Sequence, residues 1–205
     1  MSAFRKHCSR SMAYVSTISL LVAAGVLTGC QGEPSPPQGP EPVNVAEDQT
    51  LADFEKRVEA YADMHKRIES SITSLPEEAT PEQIDRNQRE LGRLLTAERA
   101  GAKQGDLFTP DIQTLAREHL ARMFAGKDGD GIKASVMDEN PVDMAVHVNQ
   151  RYPDEIPMST MPPEVLQLLP KVPEELEYRF VGRHLVMLDA PAHIIADYIP
   201  NVIPE

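Results

Sequence analysis

The chain has 205 residues, 32 of them acidic and 20 basic, for a formal net charge of −12, with two Cys, 18 Pro and no Trp. That length holds one domain with an appendage, and 41% hydrophobic with 25% charged residues is the composition of a folded protein rather than a disordered one. The excess of carboxylates argues against a nucleic-acid binder, whose phosphate partner needs a basic surface.

Residues 1–29 read as a targeting segment to be set aside from the fold. Arg5, Lys6 and Arg10 form a basic start, and no charge follows until Glu33. Between them runs a moderately apolar stretch centred on Ile18, Leu20, Leu21 and Val22, closing with Leu27-Thr28-Gly29-Cys30. That ending resembles the lipobox of bacterial lipoproteins: an aliphatic residue three before the cysteine, then small residues, then the cysteine itself. The resemblance implies cleavage between Gly29 and Cys30, diacylglycerol on the Cys30 thiol and, in many bacteria, a third acyl chain (palmitate or similar) on the new amino group. Two other readings compete. The uncharged stretch 11–32 is long enough to span a bilayer, but Ser16, Thr17, Ser19, Gly25 and Thr28 make it a poor span; the other is an ordinary secretory signal with a chance cysteine.

At roughly 0.8 kcal/mol per buried CH₂, two or three acyl chains anchor a protein to the bilayer almost permanently. Gln31 follows the cysteine where Asp would favour the inner membrane. By resemblance to the Gram-negative sorting rule, the anchor is expected in the outer membrane, facing the periplasm. Cys8 leaves with the signal and lipid occupies Cys30, so no thiol or disulfide is expected in the mature chain. That excludes thiol catalysis and thiolate metal sites. Removing Arg5, Lys6 and Arg10 leaves 17 basic against 32 acidic residues, a charge of −15. Anionic lipid repels such a domain, so the anchor and not electrostatics is expected to hold it at the membrane.

Residues 30–49 read as the lipidated cysteine and a tether, with Pro34, Pro36, Pro37, Pro40 and Pro42 among Gly, Gln, Ser and Glu. At roughly 3.1 Å per residue in polyproline geometry it reaches ~50 Å. A helical region is expected over 50–140. Its first helix, 51–75, carries Leu51, Phe54, Val58, Tyr61, His65, Ile68, Ile72 and Leu75 at alternating spacings of three and four, behind a Thr50/Asp53 capping pair. So narrow a stripe suits packing along another helix, which makes 51–75 the expected surface for a protein partner or self-association. Thr80-Pro81-Glu82-Gln83 combines an N-cap, a first-turn proline and a capping-box glutamine, starting a second helix over 81–100 with pairs Glu82/Arg86 and Asp85/Arg89. Thr109-Pro110 repeats the signal for a third helix burying Ile112, Leu115, Leu120, Met123 and Phe124 before Gly126. The run Gly126-Lys127-Asp128-Gly129-Asp130-Gly131 suggests a calcium loop. In EF-hand register, however, the first ligand falls on Gly126 and the twelfth on Met137, so a Gly/Asp-rich turn is the better reading.

From residue 141 to 205 the sequence turns to strands. Val142, Met144, Val146 and Val148 alternate with Asp143, Ala145, His147 and Asn149, as in a half-buried strand. A short helix is expected over 163–169. Strands over 178–181 and 184–188 flank Gly182-Arg183, a tight hairpin, and a last strand covers 193–199. The expected fold is α+β: a three-helix antiparallel sheaf followed by a small antiparallel β-meander with one face on the helices. The elements of 156–199, from Ile156-Pro157 and Met161-Pro162-Pro163-Glu164-Val165 through Tyr178-Arg179-Phe180-Val181-Gly182 to Ile194-Ile195-Ala196-Asp197, resemble a C-terminal module of small exported bacterial proteins. More loosely they are similar to the periplasmic protein of nickel and cobalt homeostasis. The resemblance implies a piece of fold and carries no metal ligand.

The densest reactive chemistry is Asp138, Glu139, Asn140, His147, Asn149, Arg151 and Tyr152. These form a candidate partner surface in which a carboxylate–histidine pair offers acid/base chemistry without any recognisable nucleophile or oxyanion hole. His184 and His193 lie on neighbouring expected strands, and where they meet, Asp189 or Asp197 would complete a weak transition-metal site. His65, in the seam, reads as a core histidine bonded to a neighbour. No cofactor beyond the covalent lipid is implied. The leading expectation is a non-enzymatic, membrane-anchored envelope protein that binds another macromolecule or supports assembly. A metal-responsive periplasmic binding protein is the alternative, and a small hydrolase centred on His147 the third.

Overall fold

A computed structural model describes residues 45–138, 140 and 144–204. The lipobox with Gly29 and Cys30, the Pro-rich stretch up to residue 44, Glu139, and positions 141–143 lie outside the described residues. Helices α1 (Val45–Glu69), α2 (Pro81–Glu98), α3 (Pro110–Phe124), α4 (Gly129–Asp138) and α5 (Pro163–Leu166) precede strands β1 (Leu176–Val181), β2 (His184–Asp189) and β3 (Ile194–Ile199). The chain is α+β, with helices first and one three-stranded antiparallel sheet last.

α1 begins six residues earlier than the stripe predicts, so residues 45–49 are helix rather than tether. Glu47 and Asp48 in the first turn and Lys66 and Arg67 in the last complement the helix dipole at each end. The helix also stops six residues short of residue 75. The Ser70 and Ser71 hydroxyls donate to the carbonyls of Arg67 and Ile68 at 2.8 and 2.6 Å, offering the backbone an exit from helical pairing. Ile72 and Leu75 keep the spacing but leave the helix, and Leu75 is 41% exposed. The capping box of α2 forms as predicted: Gln83 N–H donates to Thr80 Oγ1 at 3.3 Å and Thr80 N–H to Gln83 Oε1 at 2.8 Å. Of the two expected ion pairs on α2, Arg89 reaches Asp85 at 2.8 Å. Glu82 does not pair with Arg86; bonds to its own backbone N–H and to the Thr80 hydroxyl hold its carboxyl below the usual range. Thr109 precedes Pro110 as expected, although its hydroxyl makes no cap bond.

The Gly/Asp-rich run is a turn only as far as residue 128, after which α4 begins. Gly129 lies against the end of α3 so closely that a Cβ there would stand 2.0 Å from the Phe124 carbonyl oxygen. The glycine therefore serves a close backbone crossing between α3 and α4, which the reading of this run as a turn does not reveal.

α1 is the spine. Its seam residues Phe54, Val58, Tyr61, His65 and Ile68 are all buried. Along its N-terminal half, Phe54 stacks on Phe108 at 5.8 Å, Arg57 reaches the Asp106 carbonyl and Glu47 lies 3.7 Å from His119 on α3. Along its C-terminal half, Arg99 covers the Tyr61 ring at 4.9 Å and Ile68 packs with Leu91 and Leu95 of α2.

The sheet order is β1-β2-β3, with Phe180 opposite Leu185 and Leu185 opposite Ile199. Gly182, at φ 55, makes the two-residue hairpin turn that the sequence predicts. His193, at φ 57, belongs to the next turn, so β3 starts one residue later than expected. One sheet face, with Tyr178, Phe180, Leu185, Met187 and Ile199, joins the main core with Phe54, Ile112, Leu120 and Phe124. The other, with Val181, Val186, Leu188 and Ile195, packs under Met144, Val146, Tyr152 and Ile156. Both faces are thus covered, where the sequence suggests cover on one.

That second cover explains why the strand expected from residue 142 is absent among the described residues 144–148. Val146 is buried between exposed Ala145 and His147, so the alternation does report which side chains face the sheet. Main-chain pairing begins only at Asn149, whose N–H donates to Ile195 O at 2.8 Å; Ile195 N–H then donates to Gln150 O, and Tyr152 N–H to His193 O. The segment lies over the sheet before it reaches the edge of β3.

Candidate functional site

Among the described residues, those of the predicted partner surface are engaged in separate local contacts. Asp138 is exposed at the end of α4, and His147 is exposed with its backbone bonded to Gln150, its N–H donating to Gln150 Oε1 and its carbonyl accepting from Gln150 N–H. Asn149 sits at φ 65 and is structural: its Oδ1 accepts from Arg99 at 2.8 Å while its Nδ2 donates to the Arg99 carbonyl at 2.7 Å. Asn140 grips the hairpin, accepting from Gly182 N–H at 2.8 Å and donating to the Gly182 carbonyl. Tyr152 is buried, stacked on the His193 ring at 5.6 Å, with its hydroxyl donating to the Pro157 carbonyl.

His184 and His193 do not meet. In the antiparallel pairing of β2 and β3, Leu185 faces Ile199 and Asp189 faces Ile194, which sends His184 to one end of the strands and His193 to the other. Five residues at about 3.3 Å each separate those ends. His184 Nδ1 instead accepts from Asn201 N–H at 3.2 Å, and burial, then the Arg183 charge, pushes its pKa down. No group of three His, Cys, Asp or Glu residues is placed to hold a metal ion among the described residues.

Two carboxylates inside apolar strands organise the core. Asp197, fully buried on β3, accepts backbone N–H bonds from Gly105 at 3.0 Å, Leu107 at 2.8 Å, Phe108 at 2.8 Å and Tyr198 at 2.8 Å. It thereby shapes the connection from α2 to α3. Burial pushes its carboxyl up, opposed by those same N–H groups. Asp189, fully buried at the end of β2, accepts from the Tyr61 hydroxyl at 2.8 Å, and its Oδ2 lies 2.7 Å from His65 Nδ1. Its other oxygen takes Ala192 N–H at 2.9 Å. This ties α1 to the sheet and gives His65 the bonded neighbour expected of it. From the sequence Asp189 and Asp197 stand out only as possible metal carboxylates; the stronger signal is an acid amid Val-Met-Leu and Ile-Ile-Ala, where an ionised group persists only if hydrogen-bonded.

The open surface chemistry lies elsewhere, on α2. Asp154 accepts from Arg89 and Arg151, each at 2.7 Å, and stands 3.5 Å from His193 Nδ1. Arg151 also donates to Gln88 Oε1 at 2.9 Å. Burial opposes ionisation of Asp154, but the two guanidinium groups hold its carboxyl below the usual range. Burial, then Arg151, pushes the His193 pKa down. This cluster borders a groove of about 1030 Å³ between the 72–76 segment and the first turns of α2. Ile72, Leu75, Pro76 and Pro81 give it an apolar wall; Arg86, Arg89 and Arg93 line it from α2. Arg89 and Arg93 are engaged by Asp85, Asp154 and Glu90, whereas Arg86 makes no ion pair among the described residues. Nothing in the sequence pattern marked this groove, because it is formed by the departure of Ile72 and Leu75 from the helix.

The architecture defines an α+β domain with a helical spine and a small buried sheet. No family model, curated protein or solved structure matches the chain.

Proposed function

We propose that this is a lipid-anchored envelope protein that acts without catalysis, by holding another macromolecule in the groove beside α2. The observation that carries the binding role is the groove itself: an apolar wall faces a row of arginines on a rigid helix, and one of them, Arg86, makes no ion pair among the described residues although Glu82, Asp85 and Glu90 line the same groove. Arginine is among the residues enriched in protein-binding hot spots. The seam of α1 is an unsuitable partner surface, since its side chains are buried within the domain. We read the three-helix sheaf in a specific form, with α1 shared between two antiparallel partners. The anchor reading rests on Leu27-Thr28-Gly29-Cys30, with the outer membrane and the periplasm as the corresponding site.

Two experiments test this. Cys30→Ser should abolish incorporation of radioactive palmitate; continued labelling sinks the anchor. A photo-crosslinking residue at Arg86 should capture a discrete cellular partner that one at Glu118, exposed on α3, does not; equal capture at both positions refutes the groove.

A further inference from the structure

We propose that the joint between the end of α1 and the sheet is a proton-operated clamp, in which an imidazolium at His65 draws together carboxylates from three separate elements. Loss of its Nε2 proton loosens the last turn of α1 and the 70–76 segment that walls the groove. The inference is independent of the anchor and of the identity of any partner.

His65 is fully buried. Its Nδ1 lies 2.7 Å from Asp189 Oδ2, close enough that the ring donates its Nδ1 proton to a carboxylate already bonded by the Tyr61 hydroxyl. The proton that comes and goes therefore sits on Nε2. That atom is buried without a hydrogen-bond partner among the described residues, and Glu69 Oε2, one turn on along α1, stands 4.0 Å away. In the turn leading into β1, Glu175 is buried with one oxygen 3.1 Å from Lys66 Nζ and the other oxygen unpartnered. Facing the imidazole or its partners are thus Tyr61, Asp63, Lys66 and Glu69 from α1, Glu174 and Glu175 from the turn before β1, and Asp189 from β2. Arg99 lies over Tyr61 from just after α2. Carboxylates outnumber cations at this joint, and a proton on Nε2 both adds a positive charge and turns an orphaned acceptor into a donor 4.0 Å from Glu69 Oε2.

Burial works against the charged ring, but the bond and charge of Asp189, with Glu69 and Glu175 behind, raise its pKa above the ordinary value. A raised folded-state pKa stabilises fully below the ordinary histidine value of about 6.5 and the contribution is lost as pH rises through the raised value. What loosens first is set by position. Ile68, one residue before the helix ends, sits with Leu91, Leu95, Ala192 and Ile194 in a small core of its own, and the chain from Ser70 to Pro76 leaves directly from it.

The test uses the full chain. Nitrogen-15 NMR of histidine-labelled protein should give His65 a pKa above about 6.5 with the Nε2 proton titrating, and amide protection over 66–76 should fall between pH 6 and pH 8 while the strands keep theirs. In His65→Gln, that local loss with pH should disappear. A His65 pKa at or below the ordinary value, or the same pH-dependent loss in His65→Gln, overturns the proposal. Should His65→Gln fail to fold, Glu69→Gln on the exposed helix face serves instead. Removing that charge should move the window to lower pH, and an unmoved window overturns the proposal equally.

Discussion

Asp197→Asn is the most demanding test of the core, because shape is kept and only charge and one acceptor are lost. The two carboxylate oxygens divide the backbone donors between them. Oδ1 takes Gly105 N–H at 3.0 Å and Tyr198 N–H at 2.8 Å, and Oδ2 takes Leu107 and Phe108 N–H at 2.8 Å each, with a longer 3.2 Å approach from Gly105. Whichever way an asparagine amide turns, its NH₂ faces two backbone N–H groups in a fully buried site. Hydrogen bonds to a charged acceptor contribute about 1.5–3 kcal/mol each, and a buried unsatisfied donor costs about 1–3 kcal/mol. Two bonds survive and the loop relaxes in part, so a net loss of about 3 kcal/mol is expected. At about 2–4 °C per kcal/mol for a chain of this size, the melting midpoint should fall by about 6–12 °C. Circular dichroism melts and urea titrations, with unchanged m-value, measure it. A loss under about 1 kcal/mol would refute the reasoning, since it would mean that the carboxylate does not organise the 105–108 turn.

Gly129→Ala should destabilise by about 2–4 kcal/mol, more than ordinary overpacking, because the new Cβ meets the main chain of Phe124 rather than a movable side chain; a neutral result by chemical denaturation would refute the close crossing of α3 and α4. Asn140→Ala removes both bonds to Gly182 and should cost about 1–3 kcal/mol, with faster hydrogen exchange confined to the β1–β2 hairpin; exchange that rises uniformly across the sheet would show that Asn140 holds something larger than the turn.

Elements whose stability is mostly local were legible in the sequence. The capping box at Thr80, the proline at the start of α3 and the Gly182 hairpin each depend on a few neighbouring residues, and each lies where the pattern puts it. The errors occur where a distant group decides. Residues 144–148 alternate correctly yet pair with no strand, because alternation reports burial and a ladder needs an available edge. α4 is missed because three glycines within a short polar run read as a turn, whereas a packed neighbour lets the chain resume a helix there. The residues grouped around His147 take up separate contacts for a related reason. Nearness in sequence brings together groups that the fold assigns to separate tasks: Asn140 to the hairpin, Asn149 to Arg99 and Arg151 to Asp154.

By itself the sequence determines the order of helices before strands, the positions of most starts and turns, and the burial of the α1 seam, because propensity, capping and periodicity act over a few residues. Only the tertiary structure decides that Asp189 and Asp197 hold the core together, that His65 is enclosed among carboxylates, and that a groove opens beside α2. Those features rest on contacts between residues such as His65 and Asp189, 124 positions apart, and no local pattern records which buried charge will meet which partner.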